Sequence, residues 1–311
     1  MSKLSVDQQV RVIGALMEGC SIRSVERLTG IHRDTIMRLS VKVGEACRNL
    51  HNELMHDLQV ATIELDEQWA FIGKKAKHVT PEDAPEMGDV WFFSALAANQ
   101  KAIISYVVGK RTSANTQALV NDLRFRILNR PQITADGYAP YIPAIDRAFG
   151  VDVDFAILEK QYQAPVASDA AHRYSPSSIR AVEKTVVRGN PDETKISTSY
   201  VERFNLTTRM ANRRYTRLTN GFSKTLPNHK AAVALYVAHY NLCRVHETLR
   251  TTPCMALGVT DHIWSIAELI DAALAAPMAP STPPAPPTTL RPGRRPLQLR
   301  VIRGGKVSGR R

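Results

Sequence analysis

The sequence predicts an α/β protein in which a helical N-terminal segment precedes a mixed sheet with helices on its faces. Three observations predict it. Apolar residues recur at helical spacing through residues 5–48, short apolar runs broken by turn residues follow from about 58 to 158, and helical periodicity returns beyond Ser199. A chain of 311 residues holds a full core and one or two small modules.

Val6, Val10, Ile13 and Met17 form one apolar helical face that ends at Gly19. Ile22, Val25 and Leu28 mark a short second helix, stopped at Thr29-Gly30, where glycine takes the left-handed conformation. A third short helix follows from about His32, with Ile36 and Leu39 inward and Arg33, Arg38 and Lys42 outward. Helix, tight glycine turn and helix with outward cations is the helix-turn-helix pattern, and 1–52 is read as a DNA-binding domain. A solvated helical bundle is the alternative.

Val60–Leu65, Val90–Ala98 and Ile103–Val108 read as three strands, the last two joined by a turn at Asn99-Gln100-Lys101. A helix over 113–128 follows, with Leu119, Leu123 and Ile127 on one face. Next come a strand at Ile133-Thr134-Ala135, a helix over 141–149 and a strand over 153–158. Three antiparallel strands, helix, strand, helix, strand is the order of the ribonuclease-H-like fold. The catalytic domain is placed at 58–250. Residues 160–197 are polar and carry breakers, so they read as an insertion before the last catalytic helix, which is expected over 199–218. A helix over 227–244 and a C-terminal helical segment at 251–275 complete the globular part. Residues 276–287 hold six prolines and open a disordered, basic C-terminal tail over 276–311.

Forty-one Lys+Arg against 29 Asp+Glu leave a net charge of +12, which points to a polyanionic partner, nucleic acid first. Eight of the basic residues fall in 291–311 with no acidic one, leaving a surplus of four over the first 290 residues. The tail would neutralise up to about eight phosphates and make affinity strongly salt-dependent, or act as a solubilising end. Cysteines 20, 47, 243 and 254 show no metal or disulfide spacing and read as reduced thiols; a zinc site from Cys243, Cys254, His239 and His246 is rejected on spacing. Neither a signal peptide nor a membrane span is indicated, so the expected location is the cytoplasm, with nucleoid association. The cluster His239, Tyr240, Asn241, Arg244 and His246 reads as a solvated helix end, with approach to DNA as the alternative.

Three carboxylates stand out. Asp66 ends the apolar run Val60–Leu65, Asp136 follows the short strand at 133–135, and Glu202 rides on the helix from Ser199. Carboxylates within about 4 Å repel by roughly 4 kcal/mol per pair at an effective dielectric near 20, and a dication between them reverses the sign. Hard oxygen ligands suit Mg²⁺ or Mn²⁺, and two such ions can activate a water or 3′-hydroxyl and stabilise the leaving oxygen of a phosphodiester. The plain readings compete: a strand end for Asp66, a turn signal in Asp136-Gly137, and a capping box Ser199-x-x-Glu202. Glu64 shares a face with Asp66 and is a rival ligand. Asn205 and Arg209 share the helical face of Glu202, a polar stripe suited to meeting substrate.

The segments Asp66-Glu67-Gln68-Trp69, Thr134-Ala135-Asp136-Gly137-Tyr138 and Val201-Glu202-Arg203-Phe204-Asn205-Leu206-Thr207-Thr208-Arg209 resemble those of DDE transposases of the bacterial insertion-sequence-one family. The resemblance covers about 60–245. It implies a ribonuclease-H-like core and metal-dependent DNA cleavage and strand transfer. Asp66, Asp136 and Glu202 would be the catalytic, metal-binding triad for a pair of Mg²⁺ or Mn²⁺ ions, and a homo-oligomer would hold two DNA ends. Arg209, with Asn205 beside it, would contact the transposon end. The carboxylate separations are 70 and 66 residues, the second longer than that family's, and the N-terminal segment lacks the clustered cysteines of some relatives. End recognition therefore falls to Arg33, Arg38 and Lys42. A regulator that has lost catalysis and a ribonuclease-H-like nuclease are the alternatives.

Overall fold

The computed structural model describes residues 4–162, 179–277 and 300–303. The Pro-rich stretch from residue 278, the basic tail apart from 300–303, and residues 163–178 of the expected insertion lie outside the described residues.

Three helices open the chain. α1 (Val6–Met17) starts at a capping box between Ser5 and Gln8. α2 (Ile22–Thr29) is capped by Ser21 and closed by Gly30, whose φ of 70° is the left-handed conformation expected of a glycine stop. α3 (Arg33–Leu54) is not short: it runs 22 residues, because a second apolar stripe of Val43, Cys47 and Leu50 continues it. Val12, Val25, Ile31 and Ile36 form a small core among the three helices, whereas Ile13, Met17, Val43, Cys47 and Leu50 join the main core. The N-terminal helices therefore share their interior with the rest of the protein.

Seven strands form one mixed sheet in the order β3-β2-β1-β4-β5-β6-β7. They are β1 (Thr62–Ile72), β2 (Gly88–Ala97), β3 (Ile103–Gly109), β4 (Gln132–Ala135), β5 (Asp154–Tyr162), β6 (Ile179–Arg188) and β7 (Arg300–Arg303). β2 pairs antiparallel with both β1 and β3, β4 and β5 run parallel to β1, β6 pairs antiparallel with β5, and β7 antiparallel with β6. The first five strands follow the order read from the sequence. β6 adds a strand inside the segment expected as an insertion, and β7 brings a piece of the basic tail to the sheet edge.

Of the helices that follow, α4 (Ser113–Arg126), α6 (Ser199–Ala211) and α7 (Leu226–Leu242) pack on the sheet, α5 (Tyr141–Phe149) packs on α4, α8 (Pro253–Ala256) on α7, and α9 (Ile266–Ala275) on α1, α3 and α7. Ile63, Leu65, Phe92, Phe93, Ile133 and Phe155 are at most 1% exposed. Each such side chain contributes about 1.5–3 kcal/mol by leaving water.

Two boundaries differ from the sequence reading for physical reasons. β1 does not end at Asp66: it continues to Ile72 because residues 67–72 pair with β2 down to Ile72↔Gly88. α6 ends at Ala211, before 218, where Asn212 leaves the helical conformation. The expected solvated end of α7 is also corrected. His239, Tyr240 and Asn241 are buried, and the Asn241 side chain bonds both the N–H and the carbonyl of Ile103 at 3.0 and 2.8 Å, as a neighbouring strand would. Among the described residues no helix is long and apolar enough to cross a membrane.

Candidate active site

Strand pairing decides where the two aspartates stand. β1 and β4 are parallel with Leu65 opposite Ala135, so the next residue on each, Asp66 and Asp136, continues the same register. Side chains at matched positions of parallel neighbours project to the same face. The carboxylates feel each other: burial first and the charge of Asp136 second push the Asp66 carboxyl up to about 7, with Glu67 and Glu202 adding to the effect. Asp66 Oδ1 accepts from the Glu67 N–H at 2.8 Å and Oδ2 from Asn205 Nδ2 at 2.5 Å. Asp136 Oδ1 accepts from the Tyr138 N–H at 3.0 Å, which tightens the turn after β4.

Glu202 lies in the first turn of α6, and its charge adds to the upward push on Asp66. Its Oε1 accepts from the Thr198 hydroxyl at 2.7 Å and pairs with Lys160 of β5. The capping box expected from Ser199 and Glu202 does not form. Thr198 is the N-cap, it makes no side-chain cap bond, and Ser199 already lies inside the helix. Glu64 accepts the Val201 N–H at 2.8 Å instead. Glu64 is 3% exposed and burial pushes its carboxyl up to about 7. The rival ligand of the sequence reading is thus occupied at the start of α6.

The remaining expected site residues fall in two places. Asn205 is 5% exposed and bonds Asp66, while Arg209, one turn on, is half-buried. Burial, then the charge of Arg217, lowers the Arg209 guanidinium, and Asp66 opposes this. Arg33, Arg38 and Lys42 lie on the exposed side of α3, opposite the side packed into the core.

One group was not anticipated. Glu67 points away from α6, its side chain 1% exposed, and the Arg111 guanidinium holds it through Nε and Nη2 at 3.1 and 2.9 Å. Arg111 in turn lies over Tyr138 at 3.9 Å and Trp91 at 4.9 Å. This ties the turn carrying Asp136 to the strand carrying Asp66. The alternation of β1 placed Glu67 on that face, but nothing local in the sequence marks Arg111 or Lys160 as partners.

Among the described residues no three His, Cys, Asp or Glu side chains stand together closely enough to hold a metal ion. The chemistry of the donors nevertheless suits a hard dication. Asp66 and Asp136 offer carboxylate oxygens in mutual repulsion, and Asn205 Oδ1 and Gln68 Oε1 on the same side are buried acceptors without a hydrogen bond. Glu202 would join them on leaving Lys160.

Residues 59–151, which hold both aspartates, match the family model described as IS1 transposase. No curated protein matches the chain. Among solved structures, the chain is similar to a piggyBac transposase synaptic complex with hairpin DNA at 11% identity, covering 84% of this chain and 57% of that one, with a TM-score of 0.29. A Mos1 transposase paired-end complex with the left transposon end gives 12% identity, 47% and 58% coverage and a TM-score of 0.19. The Mos1 strand transfer complex gives 13%, 76%, 78% and 0.21. The chain spans under two thirds of the length of the first two, and likenesses at such TM-scores carry no argument.

Proposed function

We propose that the protein is a DDE-type DNA transposase with a ribonuclease-H-like core, cleaving DNA at transposon ends and joining it to target DNA. What supports the reading is the register-matched placement of Asp66 and Asp136 at the ends of β1's paired stretch and β4, inside the segment that matches the IS1 transposase family model, with Glu202 among the charges that act on Asp66. These three carboxylates would hold Mg²⁺ or Mn²⁺, which when bound supplies an activated oxygen nucleophile and charge neutralisation at the leaving oxygen. Asn205 orients Asp66, and Arg209 offers its charge to the phosphate beside it. The N-terminal helices act as a helix-turn-helix, with Arg33, Arg38 and Lys42 facing double-stranded DNA. The working unit is a homo-oligomer holding two ends, in the cytoplasm at the nucleoid.

The test is a cleavage and strand-transfer assay on DNA flanking the gene, with Mg²⁺ or Mn²⁺. Asp66→Asn, Asp136→Asn and Glu202→Gln are each expected to abolish joining while leaving DNA binding intact. A variant that keeps full activity removes its residue from the triad. A second reading, a sequence-specific DNA-binding regulator without catalysis, draws on the pairing of Glu202 with Lys160. It predicts specific binding without a metal and no nicking by the parent protein.

A further inference from the structure

The start of α6 is held by the central strand, and the three bonds that hold it match in pitch. Glu64, Asp66 and Gln68 project from one face of β1. Glu64 Oε2 accepts from the Val201 N–H at 2.8 Å, Asp66 Oδ2 from Asn205 Nδ2 at 2.5 Å, and Gln68 Nε2 donates to the Asn205 carbonyl at 3.0 Å. Two residues of strand advance about 6.7 Å and four residues of helix about 6 Å, so the grips at 64 and 66 fall one helical turn apart on α6. Contacts at two successive turns set both the rotation and the height of a helix on a strand.

The N-terminal grip has a second effect. The first N–H groups of a helix need an acceptor from outside the helical ladder, and an acidic side chain in the first turn is an ordinary source. Here Thr198, the N-cap, makes no side-chain cap bond and donates its hydroxyl to Glu202 instead. Glu64, from a residue 137 positions earlier, takes the Val201 N–H that the N-cap side chain would ordinarily accept. The Thr198 hydroxyl and Lys160 are then the partners of Glu202.

We propose that Glu64 is a positioning residue for the transposase reaction: by capping α6 from β1, it sets where Glu202 stands relative to Asp66 and Asp136. This rests on the transposase reading above. Its role is reach rather than charge, which separates it from a metal ligand.

Glu64→Gln keeps an acceptor oxygen at the same reach without the charge, and Glu64→Asp keeps the charge but falls short of Val201. The full chain, both variants and Asp66→Asn are compared in Mn²⁺-dependent cleavage of end DNA, with DNA affinity and amide hydrogen exchange of Val201 measured alongside. Glu64→Gln should rescue, cleaving within about three-fold of the parent, whereas Glu64→Asp should lose about ten-fold or more with DNA affinity unchanged. Val201 exchange should accelerate in the Asp variant alone. The reverse order, with Asp active and Gln inactive, would assign Glu64 to the metal and overturn the proposal, as would parental cleavage by both variants. Failure of the transposase reading looks different: the parent itself cleaves nothing.

Discussion

Glu202 illustrates how weak ties can leave a reactive group available. Its side chain is 45% exposed, and a surface ion pair such as that with Lys160 contributes about 0–1 kcal/mol. The Thr198 hydroxyl adds one neutral-to-charged hydrogen bond. A dication between carboxylates has a far larger Coulombic claim on the same oxygens. The buried histidines are in the opposite situation. His51 bonds the Ile104 carbonyl at 2.9 Å, and His229 sits between the Tyr215 and Ser223 hydroxyls at 2.9 and 3.0 Å. Burial, the largest cause, lowers both imidazoles to about 3. The unfolded chain takes up these protons near pH 6.5 and the folded chain does not, so stability falls as pH drops from 6.5 toward 3. The loss is on the order of 1.4 kcal/mol per pH unit for each histidine. At pH 5, unfolding should take up about two protons from this pair, measured by calorimetry in buffers of different ionisation enthalpy. His51→Gln should remove one of them. At this scale the places of Asp66 and Asp136 on neighbouring strands and of Glu202, Asn205 and Arg209 on α6 were legible because each sits beside a strand or helix signal. Glu64 as a cap, Arg111 on Glu67 and Lys160 on Glu202 were not, since each depends on a partner brought in by the sheet from 137, 44 or 42 residues away.

Among the elements, α3 and α7 approach each other closely at Gly44. A Cβ at Gly44 would lie 2.2 Å from the Ala231 carbonyl oxygen and 2.7 Å from its carbon, both backbone atoms of α7 that cannot swing aside. Gly44→Ala should therefore force the helices apart and cost about 1–3 kcal/mol, a Tm decrease of roughly 3–10 °C in a chain of this size. Lys42→Ala, one turn-half away on the exposed side, should leave Tm within about 1 °C while weakening DNA binding. Thermal melts of the two variants, with a DNA-binding titration, separate packing from the DNA-facing side. The elements were largely legible from periodicity, and their order from β1 to β5 followed the reading. β1 was read short because Glu64, Asp66 and Gln68 interrupt the apolar pattern; those polar side chains are the grips on α6. β6 escaped notice because its residues from Ile179 to Thr185 are exposed or half-buried, so no apolar run marks it.

For the whole molecule, charge and connectivity act over longer distances. Deleting 291–311 removes eight basic residues and should flatten the dependence of log Kd on log salt by up to about seven. A slope equal to the parent's would show that the tail makes no phosphate contacts; filter binding at 50–200 mM salt, or about that range, reads the difference. The basic surplus was plain in the composition, whereas the pairing of residues 300–303 with β6 was not, because four residues carry too little pattern to announce a strand.

The packing of α3 on α7 also has a meaning in time. The apolar stripe of Val43, Cys47 and Leu50 is synthesised about 170 residues before the helix that covers it, which at roughly 5–20 residues per second is a delay of about 9–34 s on the ribosome. During that interval the N-terminal helices have only their small core of Val12, Val25, Ile31 and Ile36. A nascent chain thus presents the stripe to chaperones, and a messenger cut anywhere before α7 yields a product destined for proteolysis rather than a shortened DNA binder.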